Sequence, residues 1–270
     1  GSIAYTTKDA RDLLEADDPF GGQYTLSYGS NGQGFRNTLS VFGQTNGFEY
    51  LLSGTRATGD DYKDGSGNTI TGTEANLTDY IAKFAYTTQS GKRLSFSASE
   101  TTDSGLRASQ SGFIRPDFAA VIGRDTVLYR ALSRRKSYTL TFQDENPTST
   151  FSPYAQLSYN EQAMDVGALY GVNKSLSGVI RNEFTLRNGS VNVGLDFFDE
   201  SAKGFDNSGS SRISNGREDL SNIGVFAQAR QDLSDRISVS YGARYDWASF
   251  DAADGSSLKE NGASVNGSVD

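Results

Sequence analysis

The sequence predicts an all-β fold, an antiparallel up-and-down transmembrane β-barrel with about 12 strands. Three observations predict it. Apolar and polar residues alternate with a period of two in many short segments. Short, turn-like connections alternate with longer polar connections. The chain contains 14 tyrosines, 16 phenylalanines and 30 glycines, although hydrophobic residues make up only 36% of it, and this composition favours strands and tight turns over a thick apolar core.

The alternating segments follow one another along the chain. In each of them, one set of every-second residues is apolar or aromatic and the other is mostly small or polar, as in a half-buried strand. The segments are 24–28, 48–52, 80–86, 94–98, 138–142, 191–197, 223–229 and 237–247. The last segment is the most informative, because Tyr245 and Trp247 share one face while Arg244 and Asp246 share the other.

The connections between these segments form two classes. Tight turns are expected at 44–47, 89–92, 145–150, 187–190 and 233–235, several of them containing Asn-Gly or Ser-Gly. Longer polar connections are expected at about 58–77, 103–135, 162–177, 200–219 and 250–261. Their alternation places the tight turns at one rim of an up-and-down sheet and the long loops at the other, as in outer-membrane barrels. The short connection 31–34 does not fit this pattern.

Two environments could cover the apolar face of such strands. In a membrane barrel it meets lipid, the aromatic residues lie in the interfacial girdles and the polar face lines a wet lumen. In a soluble, secreted β-sandwich it packs against a second sheet. The loop pattern and the low aliphatic content favour the barrel.

Composition also excludes several classes of function. The chain has no cysteine and no histidine, so the common nucleophile–base pairs and zinc sites cannot be built from it. A net charge of −8 argues against binding a nucleic-acid backbone. We expect no enzyme activity, cofactor or metal site. The segment "DDYKDGSGN", which begins at Asp60, fails the calcium-loop template, because Tyr62 stands where the second oxygen ligand belongs and Thr71 where the closing glutamate belongs.

Two stretches resemble a known family. "GSIAYTTKDARDLLEADDPFGG" (1–22) is similar to the junction between plug and barrel in TonB-dependent outer-membrane receptors. "NIGVFAQARQDLSDRISVSYGARYDW" (222–247) resembles the recurring barrel hairpin of that family. "TGDDYKDGSGN" (58–68), after the third predicted strand, is also similar.

The resemblance implies a fragment of a larger protein. Receptors of this family close a barrel of roughly 22 strands around a plug. Residues 1–21 would be the end of the plug and its linker, and 22–270 the N-terminal portion of the barrel. The polar end of the chain at Asp270 argues against the alternative, a complete barrel of about 12 strands.

The resemblance also implies a function, the active import of an iron chelate (a ferric siderophore or haem) across the outer membrane of a Gram-negative bacterium. Energy would come from the TonB complex, acting through the plug. Outer-membrane lipid, lipopolysaccharide and the iron-chelate ligand are the other expected partners. A passive, porin-like barrel remains an alternative, as does the secreted sandwich.

Two sets of residues are candidates for function. A basic cluster in the predicted external loop 103–135 could bind the anionic ligand through forked arginine contacts, or could instead pair with lipopolysaccharide phosphates or acidic loops. Its members are Arg107, Arg115, Arg124, Tyr129, Arg130, Arg134 and Arg135. Charges predicted to face the lumen, where they would touch the plug, are Arg181, Glu183, Arg187, Arg244 and Asp246.

Overall fold

A computed structural model of the chain describes residues 7–15, 18–108, 128–167, 169–206, 213–234 and 236–269. These residues form one sheet of 12 antiparallel strands that pair in sequence order, and the two end strands are not paired with each other. The strands are β1 (Phe20–Gly29), β2 (Gly34–Thr45), β3 (Phe48–Thr58), β4 (Asn76–Thr87), β5 (Lys92–Ala108), β6 (Leu128–Asp144), β7 (Pro153–Val166), β8 (Leu169–Leu186), β9 (Gly189–Asp206), β10 (Ile213–Ser234), β11 (Ile237–Asp251) and β12 (Ser257–Val269).

The two faces of the sheet differ in what covers them. Residues 7–15, the junction segment, pack on one face through Ala10, which contacts Phe42 and Leu51. We call this the inner face, and the opposite side the outer face. The outer face carries the apolar set of each alternating segment, and its side chains are uncovered: Tyr24, Ile223 and Trp247 are 62%, 55% and 47% exposed.

This single layer decides between the two environments. A sandwich would bury the apolar face beneath a second sheet, whereas the described strands all belong to one sheet. A row of exposed aromatic and aliphatic side chains on one face, with polar residues on the other, is the pattern of a membrane-barrel wall. The predicted fold class is confirmed.

The tight turns lie where the sequence predicts them. Between β2 and β3, Asn46 and Gly47 both have positive φ angles, 48° and 81°, as a two-residue hairpin turn of this hand requires. The other turns of this rim that the structure describes in full lie at 88–91, 145–152 and 187–188, and β10 and β11 are also joined at this rim. Arg187 therefore stands in the β8–β9 turn, not on the strand face where the sequence analysis places it.

Most of the long loops predicted from the sequence are shorter in the structure. β7 ends at 166 and β8 begins at 169, and β11 and β12 are joined by 252–256 alone. Strands up to 22 residues long continue beyond the apolar band. Where both faces of a strand meet water, polar residues occupy both, so the period-two signal disappears although the pairing continues.

The connection 59–75 between β3 and β4 is the longest described one, and it is held by its own side chains. The Asp64 carboxylate accepts hydrogen bonds from the backbone amides of Ser66 and Asn68, both at 2.9 Å. Asp61 accepts from the amides of Thr73 and Glu74 at 2.8 and 3.0 Å. This is the geometry of a polar turn.

Candidate functional site

The junction segment begins a compact contact with the sheet. Ala10–Asp12 form one turn of 3₁₀ helix, in which the Asp12 carboxylate accepts a hydrogen bond from the Asp9 amide at 2.8 Å. Ala10 is 2% exposed, and Leu13 and Leu14 pack beside it. The small side chain at position 10 lets the helical turn lie directly on the strands.

A buried arginine lies beneath this turn. Arg93, at the start of β5, is 2% exposed, and it pairs with Glu49 of β3, which is 7% exposed. The second guanidinium nitrogen, Nη2, donates to Glu49 Oε2 at 3.3 Å and to Asp9 Oδ2 at 3.0 Å. A buried ion pair needs further hydrogen bonds to offset its desolvation, and Asp9 supplies one from the junction segment.

Two more contacts fix the segment. Lys83 of β4 forms an ion pair with Asp9, and its Nζ also donates to the backbone oxygens of Thr7 and Lys8, at 2.8 and 3.1 Å. Arg11 pairs with Glu145 in the β6–β7 turn at 2.7 Å. The junction docking site therefore consists of Glu49, Lys83, Arg93 and Glu145 on the sheet, facing Asp9 and Arg11.

The electrostatics of the site favour charged carboxylates. Partial burial by itself would raise the pKa of Asp9, but hydrogen bonds and charges from Lys83 and Arg93 outweigh burial and lower that pKa. The hydrogen bond from Arg11 likewise lowers the pKa of Glu145. Both groups are therefore ionised at neutral pH, and both ion pairs are present.

A second arginine cluster lies on the inner face of β9–β11. Arg244 donates to both carboxylate oxygens of Asp196 at 2.6 Å, and its Nε lies 2.8 Å from each oxygen of Asp246. Asn222 donates to Asp246 at 3.0 Å. At Gly224 a Cβ atom would overlap the guanidinium group, so glycine makes room for it.

The structure places the predicted lumen charges as follows. Arg244 and Asp246 are both on the inner face and contact each other. Arg181 and Glu183 are also on that face, bridged by Asn192: Arg181 donates to the Asn192 oxygen at 3.1 Å, and the Asn192 amide donates to Glu183 at 2.8 Å. Arg187 stands apart in its turn.

The predicted basic loop cluster is divided by the strands. Arg107 is on β5, and Tyr129, Arg130, Arg134 and Arg135 are on β6, so none of these five is in a loop. The alternation of side chains then separates Arg135, on the inner face, from Arg130 and Arg134 on the outer face.

Arg107 is occupied by Asp103 at 3.1 Å. Arg115 and Arg124 lie outside the described residues. The strand periodicity thus places neighbouring members of the predicted cluster on different faces of the wall. The described members therefore do not form a single forked anion site on one surface.

No local sequence pattern predicts the junction docking site. Asp9 and Arg93 are 84 positions apart, and no local pattern connects them. A usable signal was nevertheless present. Glu49 and Arg93 are charges at inward positions beside tight turns, on strands whose other inward residues are mostly small.

Two negative observations apply to the described part of the chain. None of its helical residues forms a segment long and apolar enough to cross a membrane. Nor do the described residues bring together three or more carboxylates in a group that could hold a metal ion.

Comparison with known proteins supplies relatives along the whole chain. No family model matches it. The haem transporter BhuA of Brucella ovis is 29% identical over 280 residues, which cover 100% of this chain and 40% of BhuA, and BhuA of Brucella abortus matches to the same extent. The chain thus spans less than half the length of the curated relatives it matches.

Solved structures share the fold. The FrpB iron transporter from Neisseria meningitidis superposes with a TM-score of 0.80 at 18% identity, over 97% of this chain and 46% of FrpB. The Serratia marcescens hemophore receptor HasR, solved with its hemophore HasA and heme, gives a TM-score of 0.73 at 16% identity, over 97% of this chain and 43% of HasR. The chain is thus a homologue of BhuA along its full length, and its one-layer wall matches the barrels of solved TonB-dependent outer-membrane receptors.

Proposed function

We propose that the chain forms part of the barrel of a receptor that imports haem or another iron chelate across the outer membrane of a Gram-negative bacterium. The observation that carries this proposal is the alignment of the entire chain with the haem transporter BhuA. FrpB, an iron transporter, and HasR, a hemophore receptor, share the fold and support the same class of cargo.

The faces of the sheet support the proposed location. Exposed aromatic and aliphatic side chains on the outer face suit contact with outer-membrane lipid and lipopolysaccharide. The inner face carries paired charges and hydroxyl groups, which suit a wet lumen. The proposed role is transport and not catalysis, with the cargo passing between wall and plug.

The junction docking site supports active over passive transport. A porin-like barrel needs no plug, whereas this wall holds a segment on its inner face through a buried arginine, a lysine and an apolar contact. We propose that the segment is the end of a plug on which the TonB complex acts. Residues 1–6 and 16–17 of the proposed 1–21 unit lie outside the described part of the chain.

Growth and uptake test the proposal. The full receptor is expressed in a haem-auxotrophic Gram-negative strain that lacks its own haem receptor, with and without a functional TonB gene. We expect growth on haemin and accumulation of ⁵⁵Fe from ⁵⁵Fe-haemin or ⁵⁵Fe-citrate only when TonB is present. Equal uptake without TonB would favour the passive barrel, and recovery of the receptor in the soluble fraction would favour the secreted sandwich.

A further inference from the structure

The inner face of β5–β8 contains an area without charge. We call it the hydroxyl strip and define it as every second residue of 95–99 on β5, 137–141 on β6, 156–160 on β7 and 175–179 on β8. These residues pair in register across the four strands and form three complete rows. Nine of the twelve are serine or threonine, and the others are Gln156, Asn160 and Val179.

Charged residues surround the strip on all sides. The next row toward the tight turns contains Arg93 and Arg181, and the next row toward the opposite rim contains Arg135. On the flanking strands, Lys83 of β4 pairs with the strip from one side, and Asp196 and Glu200 of β9 pair with it from the other. The strip is therefore an uncharged area bounded by charges, although the inner face of β1–β3 has uncharged rows of its own, with Thr38, Ser40, Ser53 and Thr55.

Several polar groups of the strip bond one another, and the strip borders open space. The hydroxyls of Thr139 and Ser158 lie 3.2 Å apart, and the Gln156 amide donates to Ser158 at 3.1 Å. A cavity of about 660 Å³ lies between the strip and the junction segment, lined by residues of both. The cavity connects the strip directly to the junction docking site, since Asp9 and Arg93 also line it.

These properties suit a path for an anionic solute. A hydroxyl group can donate or accept and rotates to suit its partner, so it replaces hydrogen bonds of water without selecting one orientation. A fixed cation would hold an anionic chelate, and a fixed carboxylate would repel it. Passage requires contacts that are favourable enough for entry and weak enough for release.

We propose that the imported iron chelate moves along the hydroxyl strip, between the β5–β8 wall and the plug. This inference rests on the proposed import function and names the part of the wall that the cargo contacts. The inner face of β9–β11, with Arg244 fixed between two aspartates, takes no part in the path.

Matched charge substitutions test the path. The strip variant carries Gln156→Glu and Asn160→Asp, which add two carboxylates without changing side-chain size. The control variant carries Gln228→Glu and Asn266→Asp, at inner-face positions of β10 and β12 outside the strip. Each is made in the full receptor and expressed with TonB. Binding of ⁵⁵Fe-haemin to energy-poisoned cells is compared with its uptake by energised cells.

We expect the strip variant to bind haemin within twofold of the parent and to import it at least about tenfold more slowly, since carboxylates repel an anion at close range. The control variant should import within twofold of the parent. Unchanged uptake by the strip variant, an equal defect in the control, or loss of haemin binding by the strip variant would each overturn the path. If the unsubstituted receptor accumulates ⁵⁵Fe from neither haemin nor ferric citrate, the import function itself fails, which is a different result.

Discussion

Two arginines on the inner face, Arg93 and Arg244, occupy the same row of the sheet and have opposite surroundings. The row can be followed from Arg93 through the paired residues Gln143, Tyr154, Arg181, Gly194 and Phe226 to Arg244. Arg93 is buried beneath the junction segment, with side-chain exposure of 2%, whereas the Arg244 side chain is 31% exposed. Arg93 pairs with Asp9 and Glu49 and lies 3.8 Å from Glu145, and Arg244 pairs with Asp196 and Asp246.

The difference shows how one type of contact serves two purposes. Around Arg244, both carboxylates belong to the wall, Asp246 on the same strand and Asp196 on β9, so the cluster holds the wall together whether or not anything covers it. Around Arg93, one carboxylate comes from the junction segment, so the pair on the wall is completed only when that segment is docked. A buried charge left without its partner strongly destabilises the fold, whereas an unpaired charge that water can reach does not.

The largest expected effect is that of Arg93→Ala. It leaves Glu49 buried without a cation, and we expect the free energy of unfolding of the full receptor in lipid vesicles to fall by about 3–5 kcal/mol. Urea titration measures it. The double variant Arg93→Met/Glu49→Gln removes both buried charges and should recover much of the loss. If the double variant is as unstable as the single one, packing and not charge explains the site.

A smaller effect is expected for Asp9→Asn, which removes the carboxylate that the segment contributes. Asp9 is partly exposed, so we expect a loss of about 1–2 kcal/mol in docking, or roughly five- to thirtyfold faster hydrogen exchange of the amides of 7–15. Glu15→Gln is the matched control, since Glu15 forms no ion pair among the described residues. Unchanged exchange in Asp9→Asn would show that the apolar contact of Ala10 suffices.

Acidification should weaken docking in a defined range. The pKa values of Asp9 and Glu145 are lowered in the docked state. The stabilisation that these two carboxylates give to docking is therefore fully present above their ordinary pKa values of about 4, and it is lost as the pH falls below those values. A spin label at Glu15→Cys reports the mobility of the segment. We expect no change from pH 7 to pH 5 and rising mobility below about pH 4. Release already between pH 7 and pH 5 would contradict these assignments.

The smallest effect is expected at the second cluster. Arg244→Ala leaves two aspartates that water can reach, and we expect a loss of about 0–1 kcal/mol in the same urea titration. Gly224→Ala displaces the Arg244 guanidinium group but leaves every charge in place, so its effect measures the packing of that group apart from its charge. A loss from Arg244→Ala as large as that from Arg93→Ala would remove the distinction between the clusters.

The sequence predicted the wall better than it predicted the site. Alternation identifies a strand wherever lipid covers one face and water the other, and it correctly placed Tyr245 and Trp247 opposite Arg244 and Asp246. It fails where both faces are wet, so it ends β5 too early, begins β6 too late and assigns Arg134 and Arg135 to a loop. The contact between Asp9 and Arg93 depends on closing a long stretch of chain, which no local pattern encodes.

The two main-chain hydrogen bonds of Lys83 have a consequence for how the segment can vary. The ammonium group binds the carbonyl oxygens of Thr7 and Lys8, which every amino acid possesses. Positions 7 and 8 can therefore accept almost any side chain while the chain leaves the wall at the same place. A related protein could differ at both positions and still anchor its backbone there, provided that it keeps the lysine and the aspartate.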